Sequence, residues 1–413
     1  MTTLNDMKAG VVVIGAGHAA SQFAASLRQL GWKGELTMIG AEPHLPYQRP
    51  PLSKACLHGG DALADILLRP AAFYESIACR LVTGRAVVAI DTRRKVVRLE
   101  GGEDLPYAHL VLAIGAAART WPGLPPGETV HVLRTWDDAQ ALGATLGRIR
   151  RLAVLGAGYV GLEVAAAACK RGVAVDVFEA ASRVLQRSVG ESTSAHVANL
   201  HRAQGVALHL GTAITSVRVE GTTVAIETSQ GPLAADALVV GIGAQPRIEL
   251  AREAGLQCGH AIRVDAQCRT SAEEVFAIGD CTEQVLLPGA EPVRLESVQN
   301  AIDQAKCVAA VIAGRPVPPV PVPWFWSDQF GHRIQVAGRI AGGEATVLRP
   351  QPGRPQAHAA WYVREGRVTA IEVVDAPEDF MAARQMIKTG QRVDVSRLAN
   401  PEVALRSLAT SAV

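Results

Sequence analysis

Two glycine-rich segments of this chain combine residue types and a spacing that could do chemistry. They are GAGHAA at 15–20 and GAGYVG at 156–161, and each lies between an apolar run and a helical pattern. Glycines in such a turn let the backbone approach a pyrophosphate, and the N-terminus of the following helix then faces the phosphates. The chain can therefore hold two dinucleotides, between which electrons could pass.

The second segment has the complete glycine pattern of a dinucleotide-binding turn. Gly156 allows the tight turn, Gly158 the approach of the pyrophosphate, and Gly161 close packing of helix on strand. Glu179 ends the next predicted strand, where its carboxylate can accept hydrogen bonds from both hydroxyls of an adenine ribose. The same charge would repel a 2′-phosphate, which favours NADH over NADPH. Arg183 keeps NADPH binding open, because arginine is the usual partner of that phosphate, and a glycine turn without a ligand is the structural alternative.

The first segment has the same pattern with one change. Gly15 and Gly17 match the first two positions, and Ala20 occupies the third, where alanine is accepted because helix and strand only need to pack closely. Glu42 follows the second predicted strand and could hold the ribose of an adenosine. An ordinary surface carboxylate is the other interpretation of Glu42.

Each segment has the elements of a βαβ unit around it. Apolar, β-branched runs predict buried parallel strands, and the patterns of small and apolar residues between them predict helices. The predicted strand, helix and strand are 10–15, 19–30 and 35–40 in the first unit, and 152–155, 159–171 and 174–178 in the second. Two such units in a chain of 413 residues predict two doubly wound domains.

Further strands are predicted outside the two units, at 81–90, 95–99, 109–114, 237–242 and 275–278. The proline-rich segment RPVPPVPVP at 315–323 cannot pair inside a sheet, since proline lacks the N–H donor, and is predicted as an extended connector. A smaller unit of short strands and a helix is predicted to follow it.

The composition excludes several classes of function. The 41 basic and 39 acidic residues leave a net charge of +2, so no overall field attracts nucleic acid or an anionic membrane. We expect no signal peptide and no membrane span, and therefore a cytoplasmic protein. The seven cysteines show neither CxxC nor metal-ligand spacing, so we expect mostly reduced, buried thiols and no metal site.

Four further motifs, in order along the chain with the glycine segments, resemble those of a known family. They are PYQRPPLSK at 46–54, GLE at 161–163, AIGD at 277–280 and FWSDQ at 325–329. Over about its whole length the chain is similar to the FAD-dependent ferredoxin reductases that serve bacterial oxygenase systems.

This resemblance implies an α/β fold of the glutathione-reductase type, with two doubly wound dinucleotide-binding domains and a C-terminal α+β domain. The implied domains are an FAD-binding domain at 1–118 and 245–323, an NADH-binding domain at 119–244, and a C-terminal domain at 324–413. The FAD domain would be split around the NADH domain.

The resemblance also implies contacts for both cofactors. The residues implied for FAD are Gly15, Gly17, Ala20, Glu42, Arg49, Lys54, Asp280, Val298 and Trp326. Those implied for NADH are Gly156, Gly158, Gly161, Glu179, Arg183 and Gly243. Asp280 would bond the ribityl chain, and the backbone near Val298 would meet the pyrimidine edge of the flavin. A turn-forming aspartate after Gly279 is the alternative interpretation of Asp280.

Lys54, Glu163 and Trp326 are the side chains that the resemblance places at the redox centre. In similar enzymes the counterparts of Lys54 and Glu163, from different domains, pair beside the flavin ring, where they could orient the nicotinamide and steady the charge of reduced flavin. Trp326 would lie near the flavin on the side where the partner docks, and packing between domains is its alternative role. Trp324 would share a face with Trp326 if the segment is extended.

The implied activity is that of an NADH:ferredoxin oxidoreductase. NADH would deliver a hydride to FAD, and single electrons would then reach a [2Fe–2S] ferredoxin that supplies a haem monooxygenase or a Rieske-type oxygenase. Since no cysteine pair is suitably spaced, we expect no disulfide relay. Rubredoxin reduction, or a sensor role like that of apoptosis-inducing flavoproteins, is the alternative. Arg69, Arg333 and Arg339 are candidate contacts for an acidic ferredoxin.

Overall fold

The structure combines α-helices and β-strands. It is a computed structural model that describes residues 10–59, 62–284, 291–340 and 342–408. The α-helices of these described residues are α1 (His18–Gln29), α2 (Ala71–Ser76), α3 (Trp136–Leu146), α4 (Tyr159–Lys170), α5 (Glu191–Ala203), α6 (Glu249–Glu253), α7 (Val298–Ile312), α8 (Pro377–Thr389) and α9 (Val395–Leu398).

The strands fall into several sheets. Those of the described residues are β1 (Gly10–Ile14), β2 (Leu36–Ile39), β3 (Cys79–Val82), β4 (Val87–Asp91), β5 (Val96–Leu99), β6 (Asp104–Leu112), β7 (Ala116–Ala118), β8 (Val130–His131), β9 (Arg151–Leu155), β10 (Ala174–Glu179), β11 (Ala207–Leu210), β12 (Ile214–Glu220), β13 (Thr223–Thr228), β14 (Gly231–Ala235), β15 (Ala237–Val240), β16 (Ala244–Pro246), β17 (Ile262–Val264), β18 (Val275–Ala277), β19 (Thr282–Gln284), β20 (Trp324–Gln329), β21 (His332–Gly338), β22 (Ala345–Leu348), β23 (His358–Arg364) and β24 (Arg367–Val374).

The chain divides into two compact units, each assembled from three stretches. The described residues of Met1–Gln48, Ala62–Ala117 and Ala244–Pro321 form the first unit, and those of Arg49–Asp61, Ala118–Gly243 and Val322–Val413 form the second. The second unit therefore contains the loop that carries Lys54, together with the second glycine segment and the FWSDQ motif.

A mostly parallel sheet of strand order β3-β2-β1-β6-β5-β4 runs through the first unit, and β18 also pairs with β6. All five residues of β1 are buried, as expected for a parallel strand covered on both faces. On one side Phe23 of α1 packs with Ala305 and Val308 of α7. On the other, Leu110 of β6 packs with Ile248, just before α6. The sheet is thus a buried layer. The first glycine segment follows the end of β1 and leads into α1.

The second unit contains a parallel sheet and an antiparallel sheet. The parallel sheet has the order β11-β10-β9-β15-β8 and carries the second glycine segment after β9. The antiparallel sheet has the order β20-β21-β24-β23-β22 and packs on α8, where Trp361 contacts the cluster that includes Phe380 and Met386. Strands β12, β13 and β14 form a separate three-stranded meander.

The two predicted βαβ units are present as β1-α1-β2 and β9-α4-β10. The prediction of one strand at 81–90 is wrong, because the chain forms β3 and β4 with a turn between them at Gly84, whose φ is 71°. The proline-rich segment 315–323 contains neither helix nor strand, as predicted.

No helix in the described part of the chain is long and apolar enough to cross a membrane. Among the side chains that the structure describes, no group of three or more His, Cys, Asp or Glu residues is placed to hold a metal ion.

Candidate functional site

The second glycine segment forms a tight turn between β9 and α4. Gly156 has a φ of 97°, and a Cβ placed on it would lie 2.6 Å from the carbonyl oxygen of Gly241. A Cβ on Gly161 would lie 2.1 Å from the carbonyl oxygen of Gly156. Gly158 caps the N-terminus of α4, and a Cβ there would meet no atom within 4 Å. Two glycines are thus required for packing, whereas Gly158 borders open space at the helix N-terminus, where a pyrophosphate fits.

Glu179 is held at this turn by backbone amides. Its Oε2 accepts a hydrogen bond from the N–H of Ala157 (2.8 Å), and its Oε1 accepts one from the N–H of Ala181 (2.9 Å). A carboxylate has about four acceptor positions, so both oxygens can still accept from ribose hydroxyls. The carboxylate is therefore fixed beside the glycine turn in an orientation that can read a ribose.

Arg183 is bound to its own loop. Its guanidinium donates to the carbonyl oxygens of Val189 (2.7 Å) and Gln186 (3.1 Å). An arginine held in this way is poorly placed to meet a 2′-phosphate, which weighs against the NADPH alternative. Gly243 lies beyond β15 with a φ of 103°, and its carbonyl oxygen accepts from the N–H of Arg119 (3.0 Å).

The first glycine segment repeats this construction in the other unit. Gly15 has a φ of 115°, and a Cβ on it would lie 2.1 Å from the carbonyl oxygen of Ala113. Gly17 caps the N-terminus of α1, and a Cβ there would meet no atom within 4 Å. Ala20, at the third position, is completely buried, so its methyl group is part of the packing in this unit. The open space at Gly17 can accommodate a pyrophosphate in the same way as that at Gly158.

The other residues of the first unit that were predicted to contact FAD lie at strand and helix ends. Glu42 follows β2, and its Oε2 accepts a hydrogen bond from the hydroxyl of Tyr47 (2.5 Å). Asp280 follows Gly279, whose N–H donates to Gln304 of α7 (2.7 Å). Val298 is the first residue of α7, so its N–H is at the helix N-terminus. The N–H groups of such a terminus suit a polar ligand edge.

Arg49, Lys54 and Trp326 belong to the second unit. Arg49 donates to the carbonyl oxygen of Arg134 (2.5 Å). The rings of Trp324 and Trp326 lie 5.6 Å apart, on the same face of β20 as predicted. Phe325, between them, lies 4.3 Å from the ring of Tyr159.

Lys54 and Glu163 form an ion pair in which the carboxylate is buried. Lys54 Nζ lies 2.8 Å from Glu163 Oε1, and the lysine and glutamate side chains are 21% and 6% exposed. Lys54 also donates to the carbonyl oxygen of Pro50 (3.2 Å). Because the glutamate is buried, this pair resembles a buried ion pair more than a solvated surface contact. Removing one partner of a buried pair is strongly destabilising, whereas a surface pair contributes little.

Two serines that the sequence reasoning missed complete the surroundings of Glu163. Ser53 donates its hydroxyl to Oε2, and Ser327 donates its hydroxyl to Oε1 (2.5 Å). Both lie inside motifs used for the resemblance, PYQRPPLSK and FWSDQ, so their membership of these motifs was the available signal. Together with Lys54 they provide three donors for one carboxylate.

Comparisons with known proteins find matches to nearly the whole chain. The family model of pyridine nucleotide-disulphide oxidoreductases matches residues 9–305, and that of the reductase C-terminal domain matches 324–409. The ferredoxin–NAD(+) reductase component of the anthranilate 1,2-dioxygenase system of Burkholderia cepacia is 41% identical, over 96% of this chain and 98% of its own length. Rhodocoxin reductase of Rhodococcus erythropolis is 39% identical, over 96% and 93%.

Solved structures agree with these relatives. The reductase in the covalent putidaredoxin reductase–putidaredoxin complex has a TM-score of 0.92 at 33% identity, and 98% of each chain is covered. The ferredoxin reductase for the CYP199A2 system of Rhodopseudomonas palustris also has a TM-score of 0.92, at 37% identity, with 98% of this chain and 100% of that chain covered. The predicted α/β fold of the glutathione-reductase type is confirmed. The chain belongs to the pyridine nucleotide-disulphide oxidoreductases and, within them, to the ferredoxin reductases that bind FAD and NAD(P)H.

Proposed function

We propose that this protein passes electrons from NADH through FAD to a [2Fe–2S] ferredoxin, which supplies a haem monooxygenase or a Rieske-type oxygenase. The observation that carries the proposal is the pair of glycine turns, each with open space at its middle glycine, in a chain of the ferredoxin reductase family. The Burkholderia relative serves a dioxygenase system, and a solved relative is joined to putidaredoxin. When bound, FAD accepts a hydride and releases electrons one at a time.

The preference for NADH is assigned to Glu179. Its carboxylate is fixed beside the glycine turn by the N–H groups of Ala157 and Ala181, so it meets the ribose without reorganisation. A 2′-phosphate at this position would meet like charge, and Arg183 donates to backbone carbonyls instead of facing it. Gly156, Gly158 and Gly161 complete the turn, and Gly243 lies beyond the neighbouring strand.

The proposed FAD residues are those that the resemblance implied. Gly15, Gly17 and Ala20 form the pyrophosphate turn, and Glu42 follows β2, where an adenosine ribose would lie. Asp280 and the N-terminus of α7 at Val298 would hold the ribityl chain and the pyrimidine edge. Arg49, Lys54 and Trp326 would complete the set.

We assign to Lys54 and Glu163 the positioning of charge at the site of hydride transfer. Glu163 lies on α4, the helix whose N-terminus borders the proposed NADH turn, and its carboxylate holds Lys54 Nζ at 2.8 Å. A cation held in this way can orient the carboxamide of nicotinamide and stabilise the negative charge that develops on hydride transfer.

The three arginines proposed for ferredoxin docking differ in their surroundings. Arg333 is paired with Asp328 (2.8 Å), which cancels its charge toward a partner. The guanidinium of Arg69 lies over the ring of Phe73, 5.3 Å from its centroid, and donates to the carbonyl oxygen of Leu68 (3.1 Å), while the residue is exposed. Arg69 is therefore a better candidate than Arg333, and Arg339 is also exposed. We place this electron transfer in the cytoplasm.

The test is to purify the flavin-loaded protein and follow NADH oxidation with a panel of [2Fe–2S] ferredoxins and rubredoxins. Fast turnover with a ferredoxin and slow turnover with rubredoxins supports the proposal. Faster turnover with a rubredoxin would show that the acceptor is a rubredoxin and not a ferredoxin. A protein that NADH reduces but that no carrier reoxidises would instead be a sensor of the nicotinamide pool.

A further inference from the structure

Behind Glu163 a line of buried polar side chains extends away from Lys54. Ser327 Oγ donates to Glu163 Oε1 (2.5 Å), and Gln329 Nε2 donates to Ser327 Oγ (3.0 Å). His201 Nε2 lies 2.8 Å from Gln329 Oε1. Ser327, Gln329 and His201 are each at most 3% exposed. Ser327 and Gln329 lie on β20 and His201 lies on α5, so the line joins three elements of the second unit.

The carboxylate end determines the direction of every hydrogen bond in this line. A carboxylate only accepts, so the hydroxyl of Ser327 must donate to it and its oxygen is then free to accept. The neighbouring amide group of Gln329 must therefore be the NH₂, which turns its carbonyl oxygen toward His201. A carbonyl oxygen cannot donate, so His201 must carry its proton on Nε2. All three donors thus point toward Glu163.

The surroundings of His201 agree with this single arrangement. Burial lowers the pKa of His201 to about 4, so the ring is neutral at physiological pH. Its Nδ1 is buried and has no hydrogen-bond partner among the described residues, which suits the unprotonated nitrogen of the Nε2–H tautomer. The ring packs edge-on against Phe330, 5.0 Å between centroids.

We propose that His201, Gln329 and Ser327 form a positioning chain that holds the Glu163 carboxylate in the orientation in which it meets Lys54. Ser53 binds the other carboxylate oxygen, so the chain prevents the carboxylate from rotating about its last bond. These residues act through Glu163 and need not touch a cofactor. That these residues affect the rate of flavin reduction rests on the proposed function of the Lys54–Glu163 pair. The direction of their hydrogen bonds does not depend on that function.

The first experiment measures the chain directly in the flavin-loaded protein. Histidine ¹⁵N NMR between about pH 5 and pH 8 is expected to show a neutral His201 protonated on Nε2 throughout. Ser327→Ala and Gln329→Leu should each shift this signal, because each removes a link between His201 and Glu163. Ser194→Ala is the matched control. It also removes a buried serine hydroxyl, but one on α5 that lies outside the chain and donates to the carbonyl oxygen of Val184 (2.6 Å). A His201 protonated on Nδ1, or a signal that ignores both variants, would overturn the proposal.

The second experiment is a double-mutant cycle with Glu163→Gln, read by stopped-flow reduction of the flavin. Gln329→Leu alone should slow the maximal rate by about tenfold and change the Kd for NADH by less than about twofold. In the Glu163→Gln background it should have less than about a twofold effect, because its route of action is already removed. Ser327→Thr, which retains the hydroxyl, should restore most of the rate lost in Ser327→Ala.

The outcomes separate the positioning chain from the proposed function. If Gln329→Leu lowers the rate by the same factor in both backgrounds, it acts independently of Glu163 and the positioning chain is refuted. If Glu163→Gln leaves the rate unchanged while the His201 signal still responds to Ser327→Ala, the role of the pair in hydride transfer fails and the positioning chain is supported.

Discussion

A buried carboxylate requires donors, and Glu163 has them on both oxygens. Lys54 and Ser327 bind Oε1, and Ser53 binds Oε2. The lysine supplies the compensating charge, and the serines supply direction. Since an unpaired buried charge is costly, the loss of Lys54 should affect both the chemistry and the fold.

Lys54→Ala should slow flavin reduction by NADH by at least about tenfold, equivalent to about 1.4 kcal/mol in the barrier. The free energy of unfolding should also fall, by up to about 3–5 kcal/mol, because Glu163 would be left buried without its cation. Stopped-flow absorbance and denaturant unfolding measure the two effects. The control is Lys170→Ala, which removes an exposed lysine from α4, the helix that carries Glu163. A normal rate at full flavin content would exclude the pair from the chemistry.

Glu179→Ala should raise the Michaelis constant for NADH and narrow the preference for NADH over NADPH. The variant loses the proposed ribose acceptor and the charge that repels a 2′-phosphate. Arg183→Ala should leave the ratio of kcat/KM values nearly unchanged, because Arg183 donates to the carbonyl oxygens of Val189 and Gln186. Steady-state kinetics with both nucleotides measure the ratio. If only the arginine variant altered it, the assignment of specificity would move to Arg183.

At the scale of elements, the two glycine turns are strand–turn–helix units in which different glycines have different tasks. In the second turn Gly161 lets α4 approach the backbone of Gly156, whereas Gly158 borders open space. Packing and binding should therefore be separable by two substitutions three residues apart.

Gly161→Ala should lower the thermal midpoint, because its methyl group would overlap the carbonyl oxygen of Gly156, and overpacking costs about 1–3 kcal/mol. Gly158→Ala should leave the midpoint nearly unchanged and weaken NADH binding by projecting into the pyrophosphate site. Calorimetry and NADH titration of the flavin-loaded protein distinguish the two. Tight NADH binding by Gly158→Ala would contradict the assignment of this turn.

The contact between α5 and β23 should make stability depend on pH. His358 of β23 lies 3.2 Å from the hydroxyl of Thr193 on α5, and its ring stacks on His196, 5.0 Å between centroids. Burial, and then the nearby His196, lower the pKa of His358 to about 4. The folded protein thus binds fewer protons than the unfolded chain, whose histidines titrate near about 6.5.

The contribution of His358 to stability is therefore complete above about pH 6.5 and is lost as the pH falls toward about 4. His358→Gln should show a shallower fall of the thermal midpoint over this window than the unsubstituted protein. His260→Gln, at an exposed histidine, should follow the unsubstituted protein. If the thermal midpoint fell equally with pH in the unsubstituted protein and both variants, His358 would not be the source of the loss of stability in acid.

At the scale of the whole molecule, the cysteines bear on the route by which electrons leave. Burial raises the pKa of Cys79 to about 11 and that of Cys281 to about 12, so these thiols are protonated at neutral pH. Cys307 donates its thiol to the carbonyl oxygen of Ala266 (3.8 Å), and Cys268 is buried; both are free thiols. Neither cysteine follows the closely spaced pattern of a dithiol relay.

Cys56→Ala and Cys307→Ala should each leave reduction of the ferredoxin within about twofold of the unsubstituted rate, because electrons are proposed to leave the flavin directly. Ferredoxin reduction under steady turnover measures this, after normalisation to flavin content. A fully flavin-loaded variant that NADH reduces but that no longer reduces ferredoxin would place a thiol on the route.

Much of the fold was readable from local patterns. The runs before the glycines are buried strands, the small-residue patterns after them are helices, and the proline-rich segment has no regular structure. The exception was the strand predicted at 81–90, where the apolar pattern continues through a turn that only the conformation of Gly84 reveals. The roles predicted for Trp326, Asp280 and the docking arginines remain predictions.

The amino-acid order was enough to specify the two glycine turns and Glu179, because a strand, a turn and a helix N-terminus are built by neighbouring residues whose backbone preferences act locally. The environment of Glu163 was decided only in three dimensions. Its partners come from residues 53–54 and from β20, each more than a hundred residues from Glu163 along the chain. Hydrogen bonds of less than about 3 Å between such distant residues depend on how the elements pack, and local sequence carries no record of that packing.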